Sequence, residues 1–289
     1  MHIVHRSRAS RAAERFIQSY LQRDAVLGSS TLIHPVPARA AHMLSFQCGG
    51  PVEVRLYGED VTRRAETAAL IGTQTHQRCQ LLVRGNVETF VIVFRPSAIH
   101  QLFGLPAVET TNRDHAAHAV LGAVASELRQ KLGNARTFPE RVQIADEFIT
   151  KQSFRVQAAD SIELAANEII LNHGGCRIDS LTHHTGLSIR SFQRMFQQRI
   201  GVSPKLYARI VRFESALRTK AASPQISWRT VAHQFGYHDQ MHMVHDFRQL
   251  SGETPTSILV DAQAVFAPQI PSASQQDPDL LALDRIIAR

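Results

Sequence analysis

Two stretches near the C-terminus of this chain repeat one residue grammar, and a duplicated unit constrains the fold more than any bulk property. The first runs from Leu181 through Gly186, Arg190, Phe192 and Phe196 to Gly201-Val-Ser-Pro204. The second runs from Val231 through Gly236, Gln240, Met243 and Phe247 to Gly252-Glu-Thr-Pro255. Each predicts a short helix, a turn at a glycine that tolerates the left-handed conformation, a second amphipathic helix and a Gly-x-x-Pro stop. That is a helix-turn-helix written twice.

In the first copy, residues 179–185 predict the short helix, Gly186 ends it, Leu187 follows as a buried plug and Ser188 can cap the next helix. There Phe192, Met195, Phe196 and Ile200 form an apolar face, with Arg190, Gln193, Arg194 and Gln197 opposite. Arginine pairs bidentately with guanine and glutamine with adenine. On a lone helix such residues would be an ordinary solvated face; behind a glycine turn this face of Arg190, Gln193, Arg194 and Gln197 is expected to meet base edges. In the second copy Trp228 and Val231 pack inward, Tyr237 replaces Leu187, and Met243, Phe247 and Leu250 make the buried face. Gln240, Met241, Val244 and His245 point to the other side, with Arg248 one turn further on. Met241 and Val244 suit either thymine methyls or partial burial, and Asp246 would sit poorly beside a phosphate. This copy is one residue longer between its glycine and last aromatic, and the extra residue is placed in the turn.

Between the copies, Ser203-Pro204 starts a helix predicted to about residue 217, with a stripe of Leu206, Ile210, Phe213 and Leu217. Lys205, Arg209, Arg212 and Arg218 lie mostly off that stripe. A rigid helix here would hold two readers about one duplex turn apart. Phosphate contacts are expected from Ser188, Lys205, Arg209, Arg218 and Arg248.

The N-terminal half has another pattern. Residues 1–30 read as a basic arm with Arg6, Arg8, Arg11, Arg15 and Arg23, and 11–27 carry helical apolar spacing. Residues 31–155 read as a β-rich regulatory or dimerisation domain closed by helices. Strands are expected at 43–48, 52–57, 70–74, 80–84 and 87–94, punctuated by Gly49-Gly50-Pro51 and Gly85-Asn86, which suggests a small antiparallel sheet or barrel. Helices are expected at 98–103, 116–132 and 139–150. Periodicity fades over 151–159, the expected boundary, and 160–260 read as helical. Residues 261–289 read as a tail, with a Pro-, Ser- and Gln-rich linker at 267–279 and a short helix at 280–287. The fold class is α+β: a small β-rich, barrel or cupin-like domain with helices, then an all-α domain with two helix-turn-helix units.

The net charge of +7 and pI near 9.8 favour nucleic acid as a partner only weakly. There is no run of about 18 apolar residues to span a membrane and no apolar signal-peptide core. Cys48, Cys79 and Cys176 are odd in number and widely spaced, which suits a reducing cytoplasm. A metal site of the His-x-His type is not spelled out, since His76 stands alone and Glu88 has no nearby histidine. His183, His184, His242 and His245 fit helix surfaces. With no phosphate loop and no Gly-x-Ser-x-Gly elbow, neither an enzyme nor a cofactor is expected.

Residues 161–260 resemble the AraC/XylS-type DNA-binding domain. The resemblance rests on Leu187-Ser-Ile-Arg-Ser-Phe-Gln-Arg-Met-Phe196, Gly201-Val-Ser-Pro204, Phe235-Gly-Tyr-His-Asp-Gln-Met-His-Met-Val-His-Asp-Phe247 and Gly252-x-Thr-Pro255. It implies seven helices, two of them in the major groove, with base readers at Arg190, Gln193 and Arg194 and at Gln240, Met241 and His245. Thr182 departs from the small alanine usual there, and His245 stands where arginine is frequent. Residues 70–105 resemble the N-terminal domain of some AraC-type regulators through Phe94-Arg95-Pro96 and Leu102-Phe-Gly104, which implies small-molecule sensing or dimerisation. Leu81, Leu82, Val91 and Val93 equally suit any sheet core, so a ligand at the barrel mouth, a dimer contact through the 116–132 helix and a structural role stay open. The expectation is a cytoplasmic, sequence-specific transcription regulator on double-stranded DNA. It would be governed by an effector or by homodimerisation, and would meet RNA polymerase if it is an activator. The alternative is a non-enzymatic interaction module whose helical half has lost DNA binding.

Overall fold

Two long strands organise the N-terminal half. β2 (Ile17–Val36) and β7 (Cys79–Phe94) run antiparallel, from Ile17 opposite Phe94 to Val36 opposite Cys79, with an irregularity between Val26 and Thr31. The computed structural model describes residues 2–258 apart from 60, 155 and 157. The linker and helix expected over 267–287 lie outside the described residues. β1 (His2–Ser7) pairs with β2, and β3 (Met43–Gln47) lies between β7 and β6 (Ala68–Ile71). β4 (Val52–Leu56) pairs with the outer part of β7 and with β5 (Thr62–Arg64), while β8 (Asp114–Ala116) pairs with β6. Among the described residues these strands make one eight-stranded antiparallel sheet, in the order β1-β2-β7-β3-β6-β8 with β4 and β5 branching off β7.

Side chains alternate across a strand, so the register separates two faces. Tyr20, Leu44, Phe46, Phe90 and Ile92 share one face and are buried under α4 (Ala123–Asn134) and α5 (Phe138–Ser153), through Leu128, Leu132, Ala145 and Ile149. Arg141 of α5 is 3% exposed and ties this layer together. Its guanidinium donates to the Leu132 and Ala135 carbonyls, to Gln22 Oε1 and to the Glu88 carboxylate. The other face carries Leu21, Arg23, Thr89 and Val91, all half-buried.

The N-terminal segment departs from expectation. Residues 2–30 are not an arm: β1 and β2 are integral to the sheet, and the apolar residues expected to make a helix over 11–27 end up as short turns around Ala13 followed by strand. Phe16, Ile17 and Tyr20 bury equally well either way. The non-local pairing with β7 decides it, and local spacing cannot report that. The strands expected at 80–84 and 87–94 are one strand, which passes through Gly85 at φ 66°. The helix expected over 116–132 is split into α3 (Ala117–Leu121) and α4 by Gly122 at φ 67°, with residue 116 already in β8.

α1 (Ala98–Phe103) and α2 (Ala107–Thr110) lead off the sheet. Beyond α5 the described chain is helical: α6 (Ser161–Leu171), α7 (Ile178–Thr185), α8 (Ile189–Ile200), α9 (Pro204–Ala222), α10 (Trp228–Gln234) and α11 (Gln240–Ser251). Asp160 caps α6 by accepting from the Ile162 and Glu163 amides, and it also pairs with Arg199 of α8. Among the described residues no helix is long and apolar enough to cross a membrane.

His42 sits buried at the start of β3 with Nε2 3.1 Å from Thr110 Oγ1 in α2, and burial pushes its pKa down to about 4. The unfolded chain therefore binds a proton near pH 6.5 that the folded chain refuses until about pH 4. Stability is expected to be full above pH 6.5 and to fall by roughly 3 kcal/mol as pH drops through that window. Urea melts at pH 7, 6, 5 and 4.5 check this, and the slope should be shallower in His42→Gln.

Candidate nucleic-acid interface

The 19-residue helix α9 is the spine of the helical half. Its N-terminal part presents Tyr207 to Phe196 of α8 (ring centroids 5.7 Å apart), and its middle presents Phe213 to Phe247 of α11 (4.8 Å). Trp228 of α10 closes on Phe247 at 5.6 Å. Ser203 caps α9 and Pro204 occupies its first turn, so the chain is set in helix as it leaves the first unit. Each aromatic contact adds about 0.5–1.5 kcal/mol to the burial of the rings.

The two helix pairs, α7/α8 and α10/α11, are built alike. Gly186 and Gly236 turn at φ 65° and 67°, where a side chain would be strained. Leu187 is half-buried and Tyr237 buried behind them. Ser188 caps α8 by accepting from the Ser191 amide, and Asp239 caps α11 by accepting from the His242 amide. The extra residue of the second copy is thus His238, placed before the cap. Counted from the caps, Phe192 matches Met243 and Phe196 matches Phe247. The outward positions then align as Arg190 with Met241, Gln193 with Val244, Arg194 with His245 and Gln197 with Arg248. Gln240 matches Ile189, an exposed apolar residue that sequence reasoning passed over; its only signal is its place directly after the cap.

Arg190, Gln193, Arg194 and Gln197 are exposed along one side of α8, and Gln240, Met241 and His245 are exposed on α11. Met241 is 71% exposed and Ile189 55%, so the first turn of each second helix offers an apolar tip that suits a thymine methyl. Thr182 is buried, with its hydroxyl donating to the Asp179 carbonyl at 2.7 Å, so the polar atom that replaces alanine's hydrogen is satisfied inside α7.

The expected phosphate residues divide. Ser188, Lys205, Arg218 and Arg248 are exposed. Arg209 is already engaged: Nη2 donates to Asp246 at 2.7 Å and to Gln249 Oε1 at 2.6 Å, and Gln249 in turn meets His245 Nε2 at 2.8 Å. Asp246 therefore lies buried against α9, away from the exposed side of α11. Next to it, Arg212 stacks over the Tyr237 ring at 5.4 Å and donates to the Gly174 carbonyl, and burial together with Asp246 raises the Tyr237 pKa. Arg248 borders a cleft of about 390 Å³ shared with Tyr57, His76 and Gln77 of the N-terminal half.

The N-terminal half grips both units from behind. Ala38 and Ala40 enter the same apolar core as Phe196, Phe213 and Phe247. The Ala38 amide donates to the Leu250 carbonyl of α11, and Thr73 Oγ1 donates to both the Ala40 and Ile200 carbonyls. Thr111 Oγ1 donates to the Gly201 carbonyl at 2.7 Å, just past α8. Arg15 and Gln101 hold Glu163 of α6.

A helix-turn-helix domain family model matches residues 181–259. This part of the chain is an AraC-type helix-turn-helix domain. Among curated proteins none matches the chain. Among solved structures, ToxT from Vibrio cholerae aligns at 13% identity over 90% of this chain and 98% of its own, with a TM-score of 0.47. An unsaturated fatty acid-bound ToxT from the same organism aligns at 10% identity over 84% and 95%, also at 0.47. The AraC-like transcriptional activator CuxR aligns at 13% identity over 74% and 86%, at 0.24.

Two substitutions test how the AraC-type domain is held. Asp246→Ala removes the buried partner of Arg209, which is exposed enough to rehydrate, and is expected to cost about 2 kcal/mol in urea denaturation. Gly201→Ala places a Cβ 2.6 Å from Thr111 Oγ1 at φ 103° and is expected to cost more than about 1 kcal/mol, with the loss visible as a lowered melting temperature.

Proposed function

We propose that this chain is a sequence-specific DNA-binding transcription regulator whose α8 and α11 enter successive major grooves on one face of the duplex. One observation carries the reading: two register-matched helix-turn-helix units are mounted on one helix, and their outward residues are open to solvent although the rest of the domain is gripped by the N-terminal half. A 19-residue helix spans about 28 Å, close to the roughly 34 Å of one duplex turn that separates two readers on one face.

In this reading Arg190, Gln193 and Arg194 supply most of the base discrimination, because arginine and glutamine make bidentate contacts worth about 1–3 kcal/mol each. Met241, Gln240 and His245 contribute apolar and weaker polar contacts. Ser188, Lys205, Arg218 and Arg248 fix position on phosphates; Arg209 acts by holding α11 to α9, not by meeting the backbone itself. The sheet half governs how the two units are set, through the 38–40 segment that touches α9 and α11. Effector control, self-association and contact with RNA polymerase belong to this same proposal.

Gel shifts of the full chain against fragments of its own upstream region, with a salt titration, test the proposal. A regulator of this type shows log affinity falling steeply with log salt, with a slope of about −0.9 for each phosphate neutralised. Arg190→Ala and Arg194→Ala are each expected to lose about 1–3 kcal/mol on the selected site and little on scrambled duplex. Equal losses on both duplexes would overturn the base-reading assignment, and a flat salt response would overturn DNA binding.

A further inference from the structure

His245 lies on the exposed side of α11, yet its ring is tied back into the fold. Its Nε2 lies 2.8 Å from Nε2 of Gln249, one turn further along the helix. An amide nitrogen has only protons to give, so in this contact the ring nitrogen accepts. Arg209 of α9 settles which end of the amide faces the ring. Its Nη2 donates to Gln249 Oε1 at 2.6 Å, and a guanidinium has no acceptor to offer, so the nitrogen end turns to His245. Arg209 is itself held, because the same Nη2 donates at 2.7 Å to Asp246, which is 3% exposed. From the buried carboxylate outward, the direction of each hydrogen bond follows from the one before it.

A ring that accepts at Nε2 is neutral and carries its proton on Nδ1. We infer that His245 is a specificity-determining residue of the second unit, and that Asp246, Arg209 and Gln249 are positioning residues that lock its ring in the tautomer offering an Nδ1–H donor to a base acceptor. That acceptor is purine N7, which guanine and adenine both show in the major groove and which base pairing leaves free. Cytosine presents an amino donor there and is rejected. Arg194, at the matching position of α8, can donate twice and so select guanine; the locked histidine donates once and takes either purine. The base contact rests on the DNA-binding reading above, whereas the tautomer does not.

Two measurements on the full chain test this. The first is the nitrogen-15 NMR spectrum of the histidine rings at pH 8, with His245 assigned by its loss in His245→Ala. In the unaltered chain the proton is expected on Nδ1. Gln249→Glu keeps an acceptor for Arg209 but can only accept from the ring, so it should move the proton to Nε2. A proton on Nε2 in the unaltered chain, or one that stays on Nδ1 in Gln249→Glu, overturns the lock. The second measurement uses gel shifts on a duplex enriched from a randomised pool, with each purine replaced in turn by its 7-deaza analogue, which lacks the N7 acceptor. At one purine the replacement should weaken the unaltered chain about three- to tenfold, the size of one hydrogen bond, and should weaken His245→Ala and Gln249→Leu by less than about twofold. The penalties at other purines should persist in both variants. Gln143→Leu, on the exposed side of α5, should change neither measurement. Unchanged penalties at every purine in Gln249→Leu overturn the base contact. If no duplex is enriched, the DNA-binding reading falls and takes the base contact with it, while the ring spectra still decide the tautomer.

Discussion

The burial of α9 against α8 and α11 sets how the outward sides of both helices are presented. Tyr207 and Phe213 of α9 pack against Phe196 and Phe247, so α8 and α11 are each anchored in their C-terminal halves, while the residues directly after the caps, Ile189 and Arg190 on α8 and Gln240 and Met241 on α11, stay exposed. The polarity follows from helix direction. A helix anchored by its tail presents its N-terminus, where free amide groups and the positive end of the dipole favour a phosphate. The caps Ser188 and Asp239 then decide how that end is finished. A neutral serine leaves α8 with the full positive end, whereas the Asp239 carboxylate offsets it on α11 and makes the second unit the less attractive one for an anion.

The asymmetry between the units runs through their side chains as well. The aligned outward positions replace arginine by methionine, glutamine by valine and arginine by histidine. Basic residues that remain near the second unit are turned to internal use: Arg209 holds Asp246, and Arg212 covers the Tyr237 ring. The second unit is therefore tied to α9 by polar contacts and, in the proposed reading, is less equipped to discriminate bases. The first relies on apolar packing and on the Thr73 and Thr111 contacts behind it, with Arg190, Gln193, Arg194 and Gln197 left exposed.

The helical half was legible from residue pattern because its determinants are local. A glycine with positive φ, a cap two or three positions later and apolar residues at helical spacing are all written within each unit, and even the extra residue before Asp239 could be placed from the count alone. Much of the sheet's content was legible too, since Gly49-Gly50-Pro51 and the alternation around Val91 mark strands. What escaped were features fixed by partners distant in sequence. Residues 17–26 carry apolar spacing that suits either period, and pairing with 86–94 on one side and with β1 on the other makes them strand. The role of Arg209 depends on Asp246, 37 positions on, and nothing near Arg209 announces it. The lodging of Ala38 and Ala40 in the helical core likewise needs the segment before β3 to meet α9 and the end of α11.

That meeting also fixes how the molecule can come apart. The segment at Ala38–Ala40 belongs by chain order to the sheet half, yet it fills part of the core under α9 and bonds to the end of α11. Cutting the backbone near residue 156 would sever the link between the halves in sequence while leaving two alanines of one lodged inside the other. The two parts would stay associated after the cut, as a handle stays with a blade whose tang passes through it. Heat or denaturant would then disengage them only by opening the core that carries α8 and α11.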